Sequence, residues 1–460
     1  MKFPDAGRRR DIIECVSVSS AIADKIASEL LSRSDTSGIC ILDSCGVGPR
    51  GRNRFIAASE PSDIFKINSR NPLETLAAIE EVSRLNKPVV FTLSYDFGLK
   101  LQGISSRHEP KSSEPDLFCA VYDSALIFDY DSGQLSSCGM ESKPVNIWHQ
   151  IDPDRQRSQN EIPRNLPPES ITPVPDGTEY LRQIEEIKEL IRDGETYQAN
   201  LTRKFHIKFR QDFLPGNIFL YGRKHHPAAY SAFIDRGDSS VVSLSPECFF
   251  SVRGQKILAS PIKGTRRRTA DKTSDRDIIE DLSSSEKDRA ENIMIVDLLR
   301  NDLGRICEFG TVRAESLLEI ETLPTLFHLV SHISGKLRGG AGLSDILKAL
   351  FPCGSITGAP KINTMSILDR LELSPRGLSM GAIGLILPTS KPRRPEIDVS
   401  VAIRTLVCQG NLGEFNVGGG IVIDSDPAAE FNETETKATA LLASCGVNFP
   451  EPDKNTLLNK

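Results

Sequence analysis

Strand-like and helix-like segments follow one another in this chain without the regular strand–helix–strand order that a parallel sheet requires. Positions 39–42, 89–93, 120–128, 240–244, 396–405 and 414–417 read as strands. Tyr180, Ile184, Ile187 and Ile191 recur at helical spacing, which predicts a helix ending near Gly194. Parallel neighbours need a crossover, usually a helix, between one strand and the next. Without that order the expected fold class is α+β, with antiparallel sheets carrying helices on their outer faces.

Pro153, Pro163, Pro167, Pro168, Pro173 and Pro175 fall among polar residues and predict a linker or a surface-hugging crossover. The expected organisation is an N-terminal half over 1–150, the proline-rich linker over 151–175, a region carrying the candidate chemistry over 176–446, and a tail over 447–460. The polar stretches 268–285 and 388–394 are expected to be mobile loops.

Several function classes are disfavoured at once. No apolar run is long enough to span a bilayer, and the start MKFPDAGRRRDIIE has no apolar core of a secretion signal, so no membrane partner is expected. Ten cysteines without a CxxC pair read as reduced thiols of a cytoplasmic enzyme. A net charge of −6 argues against nucleic acid as the main partner. Arg266, Arg267 and Arg268 form a local basic cluster, read as a solvated loop or a carboxylate clamp.

The candidate chemistry centres on Lys263, in the run SPIKGT, sixteen positions after Glu247 of SPECFF. A lysine is a nucleophile only as the neutral amine, and a carboxylic acid nearby can protonate a departing hydroxyl. Asp288 and Glu291 lie three apart on one apolar-periodic helix, and Glu430 and Glu433 three apart on another, where Asp426 suits the N-cap and Pro427 the first turn. Like charges on one helix face repel, and a hard divalent cation holding one carboxylate from each helix would compensate. Lys437 lies one turn beyond Glu433, placed to help hold an anion. Gly418, Gly419 and Gly420 are expected to form a backbone nest for an anion, or simply a tight turn. Arg404, read as the end of a strand over 399–404, suits a bidentate carboxylate grip or a structural ion pair. The segment FPCGSITGAPK (351–361) reads as a turn rich in small hydroxyl residues running into a helix, without the order of a phosphate loop.

Taken in order, GETYQANLT (194–202), SPECFF (245–250), SPIKGTRRR (260–268), AENIMIVDLLRNDLGR (290–305), FPCGSITGAPK (351–361), GAIG (381–384), IRT (403–405) and GGGIVIDSDPAAEFNETETK (418–437) resemble the chorismate-utilising enzymes. That family comprises anthranilate synthase component I, aminodeoxychorismate synthase component I, and the isochorismate and salicylate synthases. The resemblance implies two packed, largely antiparallel β-sheets with helices outside. It is strong over 176–444 and faint before, where Ile41-Leu42-Asp43-Ser44 and Ser94-Tyr95-Asp96 look like remnants of the family's N-terminal half. The Leu-Leu-Glu-Ser feedback element of anthranilate synthases is not intact.

Two positions point to one branch. Lys263 stands where aminodeoxychorismate synthases carry their nucleophile and anthranilate synthases carry alanine. Gln198 stands where isochorismate and salicylate synthases have a water-activating lysine. The resemblance then implies Mg²⁺ held by Glu291 and Glu433, supported through waters by Asp288 and Glu430. Gly419, Gly420 and Lys437 would meet the ring carboxylate of chorismate, and Arg404 its enolpyruvyl carboxylate. Gly264, Thr265, His328 and Gln198 would border the substrate, the alternative for His328 being a satisfied core residue. Lys263 would attack C2 while Glu247 protonates the C4 hydroxyl. Leu385 replaces a tyrosine expected to help hold a carboxylate. The chain lacks a Gly-x-Cys-x-Gly glutaminase signature, so a separate glutamine amidotransferase subunit is expected to supply ammonia, and a separate lyase to complete 4-aminobenzoate for folate. The rival expectations are anthranilate synthase component I and a non-catalytic chorismate-binding paralogue.

Overall fold

The computed structural model describes residues 16–448 apart from 34–35, 50, 109–113, 140–164, 269–271, 324–325 and 390–393. Within these residues the strands form two sheets, one of twelve strands and one of ten. Neighbouring strands run antiparallel throughout the region that carries the site. The α+β expectation therefore holds.

The sheets pack face to face through apolar side chains. Val90, Phe118, Ile383 and Leu385 of the ten-stranded sheet join Ile56, Ala232, Ile234 and Val241 of the twelve-stranded sheet in one buried cluster. Each of the valine, leucine, isoleucine and phenylalanine side chains contributes about 1.5–3 kcal/mol when fully buried. Helices cover the outer faces, as expected. Leu76, Leu299 and Ile346, from helices Pro72–Ser83, Glu286–Gly304 and Leu343–Leu350, pack on Phe91, Phe250 and Val399. On the opposite side Ile26, Ile218 and Leu441, from helices Ala21–Leu31, Pro215–His225 and Pro427–Ser444, pack on Phe205, Val242 and Phe415.

Strands from the first 150 positions belong to both sheets. Cys40–Asp43 pairs with Tyr230–Asp235 in one, and Val89–Leu93 pairs with Ala382–Leu387 in the other. The helix expected from Tyr180, Ile184, Ile187 and Ile191 spans Gly177–Arg192 and is capped by Asp176, whose carboxylate accepts from the Glu179 N–H at 2.9 Å. The cysteines among the described residues are all free thiols.

Other expectations need correction. Positions 120–128 are not one strand: Leu117–Val121 and Ser124–Asp129 lie in different sheets, and the chain crosses between them. The run 396–405 breaks likewise, after Glu396–Val401, and Thr405–Gln409 belongs to the other sheet. Arg404 therefore sits in the crossover rather than at a strand end, with a left-handed backbone at φ 49°. Hydrophobic alternation reports a buried strand but not a change of sheet.

The stretch 268–285 is largely the helix Lys272–Ser284, not a mobile loop. Its apolar stripe is short (Ile278, Ile279 and Leu282) but packs on Phe327 and Leu329. Positions 390–393, in the other expected loop, lie outside the described residues, as do 140–164 of the linker region and 449–460 of the tail. The end of the proline-rich stretch is ordered into a strand, Ser170–Val174, along Gln198–Lys208.

Candidate active site

Two helices from opposite outer faces bring their N-terminal turns together. Ser285 caps one, its hydroxyl accepting from the Asp288 N–H at 3.3 Å, and Asp426 caps the other, accepting from the Ala429 N–H at 2.8 Å. Acidic side chains in a first turn are favoured by the helix dipole. The first turns carry Asp288 and Glu430, and Glu291 and Glu433 follow on the same faces, so both pairs fall where the sequence placed them.

Each carboxylate is met by a cation of the chain. Lys287 Nζ lies 2.9 Å from Glu430, Lys263 Nζ 3.7 Å from Glu291, and Arg266 Nη2 3.1 Å from Asp288. Lys437 pairs with Glu433 and donates to the Gly418 carbonyl at 2.9 Å. Glu430 also accepts from the Ser425 hydroxyl at 2.7 Å. Burial raises the Glu291 carboxyl above its ordinary value, with Lys263 and Lys287 pulling the other way. Burial acts on Glu433 too, but Lys437 beside it prevails and holds that carboxyl low.

Gly418, Gly419 and Gly420 form neither a nest nor a turn. They continue the strand Leu412–Ile421, paired with Thr202, Leu201 and Asn200 of Gln198–Lys208. Their value is the missing Cβ. A methyl on Gly419 would stand 2.8 Å from Glu430 Oε2, and one on Gly420 2.3 Å from Gln198 Nε2 and 3.6 Å from Glu291 Oε2. The glycines thus make a floor that carboxylate oxygens approach closely.

Lys263 is aimed by a bulge. Pairing between Ile262–Arg267 and Leu326–Lys336 shifts register between Ile262 and Thr265, and such irregularities redirect side chains. Gly264 takes φ 78° there, and a Cβ would meet Leu282 at 2.8 Å and Asp288 at 3.0 Å, so this position requires glycine. Thr265 pairs with His328 across the two strands and is itself exposed. The Lys263 side chain is 13% exposed, turned inward against the acids.

Glu247 is 5% exposed, and burial raises its carboxyl, the Ser355 hydroxyl and then Lys263 opposing less strongly. Its partner is Ser355, which sequence reasoning did not single out. The Ser355 hydroxyl donates to Glu247 Oε1 at 2.7 Å, and its carbonyl accepts from Lys263 Nζ at 3.4 Å. One short turn, Gly354–Ile356 in the FPCGSITGAPK segment, therefore spans the acid and the amine. The hydroxyl richness of that segment was the available signal.

Gln198 donates to Glu291 at 3.4 Å, while its own Oε1 is buried without a partner among the described residues. Arg404 and His328 border an adjoining cavity with Pro246, Ser260, Ile262 and Tyr230. Among the described residues the Arg404 side chain has no hydrogen-bond or ion-pair partner, and burial alone pulls its guanidinium below the usual arginine range. His328 Nε2 is likewise buried and unpartnered; burial, then Arg404, lowers its pKa to about 4. The basic cluster resolves as a carboxylate clamp for two members: Arg266 binds Asp281 and Asp288, and Arg268 binds Asp275. Leu385 is buried in the inter-sheet cluster with Val90 and Ile383, so this position offers core packing rather than a carboxylate contact.

The acidic groups beside the glycines offer oxygen donors, the kind that a hard cation takes. Among the described residues no three carboxylate, imidazole or thiol groups stand close enough to share an ion. Glu430 instead brings an oxygen to the glycine floor where a Cβ on Gly419 would obstruct it, and Glu291 brings one to 3.6 Å from the Cβ position of Gly420. A small all-oxygen set completed by waters is how Mg²⁺ is commonly bound.

The profile of the chorismate binding enzymes matches residues 32–443. Aminodeoxychorismate synthase component 1 of Klebsiella aerogenes is 36% identical over 356 residues, covering 76% of this chain and 75% of that protein. Aminodeoxychorismate synthase of Streptomyces griseus is 42% identical over 272 residues, 59% of this chain, which spans only 37% of that relative's length. Among solved structures, anthranilate synthase component I from Streptococcus pneumoniae TIGR4 superposes with a TM-score of 0.73 at 27% identity, covering 85% of this chain and 92% of that one. The matched length and these identities establish that the chain belongs to the family of chorismate binding enzymes.

Proposed function

We propose that this chain is the chorismate-aminating component of an aminodeoxychorismate synthase, taking ammonia from a glutaminase partner and forming 4-amino-4-deoxychorismate. The observation that carries the reading is the contact of Ser355 with both Glu247 and Lys263. A carboxyl whose burial favours its protonated form, and an amine beside it, are the acid and the nucleophile that a covalent amination needs.

The Arg404 side chain, without a partner among the described residues, takes the enolpyruvyl carboxylate. Lys437 takes the ring carboxylate. When bound by Glu291 and Glu433, with Asp288 and Glu430 supporting through waters, Mg²⁺ supplies charge neutralisation for that same carboxylate. The ε-amine of Lys263 bonds to C2 as the ring double bonds shift, and the C4 hydroxyl leaves as water with the Glu247 proton. Ammonia then bonds to C4, the double bonds shift back, and Lys263 is released. The unpartnered Gln198 Oε1 accepts a hydrogen bond from the incoming ammonia. Glu247 takes up the proton that this second step frees. The product carries its enolpyruvyl group intact, so a lyase must follow to give 4-aminobenzoate for folate.

The test is a mass spectrum of the protein trapped with chorismate and Mg²⁺, without ammonia. An adduct on the 260–268 peptide is expected. With ammonium salt added, the aminated product should accumulate and yield 4-aminobenzoate only when the lyase is supplied. Anthranilate released without the lyase would overturn the assignment.

A further inference from the structure

Lys287 lies in the first turn of the helix Glu286–Gly304, one residue before Asp288, and takes no part in the chemistry above. Its ammonium lies 2.9 Å from Glu430, a carboxylate whose other partner is the neutral Ser425 hydroxyl. Glu291 and Glu433 also act favourably on its charge. Lys287 thus contacts one glutamate of the other helix and lies in the field of two more. That side chain is half exposed, free at its solvent side to move away. Lys263 and Lys437 differ: each is tied also to a backbone carbonyl, of Ser355 and Gly418 respectively.

We propose that Lys287 is a resident counter-cation that occupies the charge position of the divalent metal in the unloaded enzyme and yields Glu430 to it on loading. This rests on the metal reading above. Without some positive charge, Glu291, Glu430 and Glu433 would repel one another and spread apart. With Lys287 present the carboxylates stay gathered, but the entering ion must displace an ion pair. The lysine therefore weakens metal affinity while keeping the empty site assembled.

The test measures Mn²⁺ binding to the full-length protein by calorimetry, for the wild type, Lys287→Met and Lys287→Arg. Lys287→Met removes the charge at similar length and should bind Mn²⁺ about fivefold more tightly, the scale of a half-exposed ion pair. Lys287→Arg keeps the charge and should bind as the wild type does. Melting provides a second reading: metal-free Lys287→Met should melt below the wild type, and added Mn²⁺ should raise its melting temperature more. Unchanged or weaker Mn²⁺ binding by Lys287→Met, with the wild type binding normally, would overturn the proposal and make Lys287 a support for Glu430. A wild type that takes up no Mn²⁺, alone or with chorismate, would sink the metal reading itself.

Discussion

The Ser355 hydroxyl donates to Glu247 across 2.7 Å, tying a turn of the FPCGSITGAPK segment to the acid that follows the Ser240–Ser245 strand. Glu247 is buried, so this bond fixes the direction in which its proton is presented. Ser355→Ala should lower kcat for ammonium-dependent turnover about 10- to 100-fold, the value of one hydrogen bond to a charged or reacting group. Ser355→Thr, which keeps the hydroxyl, should recover much of the loss. Steady-state kinetics decide it, and full activity in the alanine variant would remove Ser355 from the chemistry.

Glu247 also leaves a signature in stability. Burial raises its folded pKa above the ordinary value of 4.5. Between the unfolded and folded values the native state holds the extra proton, so stability falls as pH rises through that window. Above the folded pKa the full cost of a buried anion applies; below the unfolded pKa it vanishes. Glu247→Gln should therefore melt with the wild type near about pH 4 and above it near about pH 8. Parallel melting curves across that range would show that Glu247 ionises without penalty.

Lys263→Ala should abolish the adduct on the 260–268 peptide and reduce product formation at least about 100-fold, the usual scale for loss of a nucleophile when a weaker direct route survives. Lys263→Arg should not rescue, because guanidinium does not deprotonate. Undiminished product from the alanine variant would exclude the covalent path.

Gly420→Ala places a methyl 2.3 Å from Gln198 Nε2 and should push that side chain aside. If Gln198 receives ammonia, the KM for ammonium should rise about tenfold or more while chorismate binding changes less. Overpacking of this kind costs about 1–3 kcal/mol, which differential scanning calorimetry would register. A rise confined to the chorismate KM would place Gln198 elsewhere in the reaction.

The Arg404 side chain is half-buried and lacks a partner among the described residues, so function and stability should part there. Arg404→Gln should raise the chorismate KM about 10- to 100-fold, the value of a charged hydrogen bond, yet slightly raise the melting temperature by relieving an uncompensated, partly buried charge. If both fall together, Arg404 is structural.

How far the sequence spoke depended on the distance between partners. The acid pairs were legible because i,i+3 spacing and an N-cap such as Asp426 are local. The helix Gly177–Arg192 was legible for the same reason. Arg404 was placed at a strand end because alternation continues across a change of sheet. The three glycines suggested a nest; only the approach of Glu430 and Gln198 from elsewhere in the chain shows why a Cβ is excluded. Ser355 meets a residue 108 positions away, and Lys287 one 143 positions away. Neither pairing has a spacing that can be read along the chain.

The sharing of both sheets between early and late segments bears on synthesis. Cys40–Asp43 leaves the ribosome long before Tyr230–Asp235, and Val89–Leu93 long before Ala382–Leu387. Neither layer can close until most of the polypeptide has emerged, so a nascent chain stalled midway exposes unmatched strand edges for chaperones or aggregation to find. Gene fragments cut near the middle should yield two insoluble products, and only their co-expression would restore a working molecule.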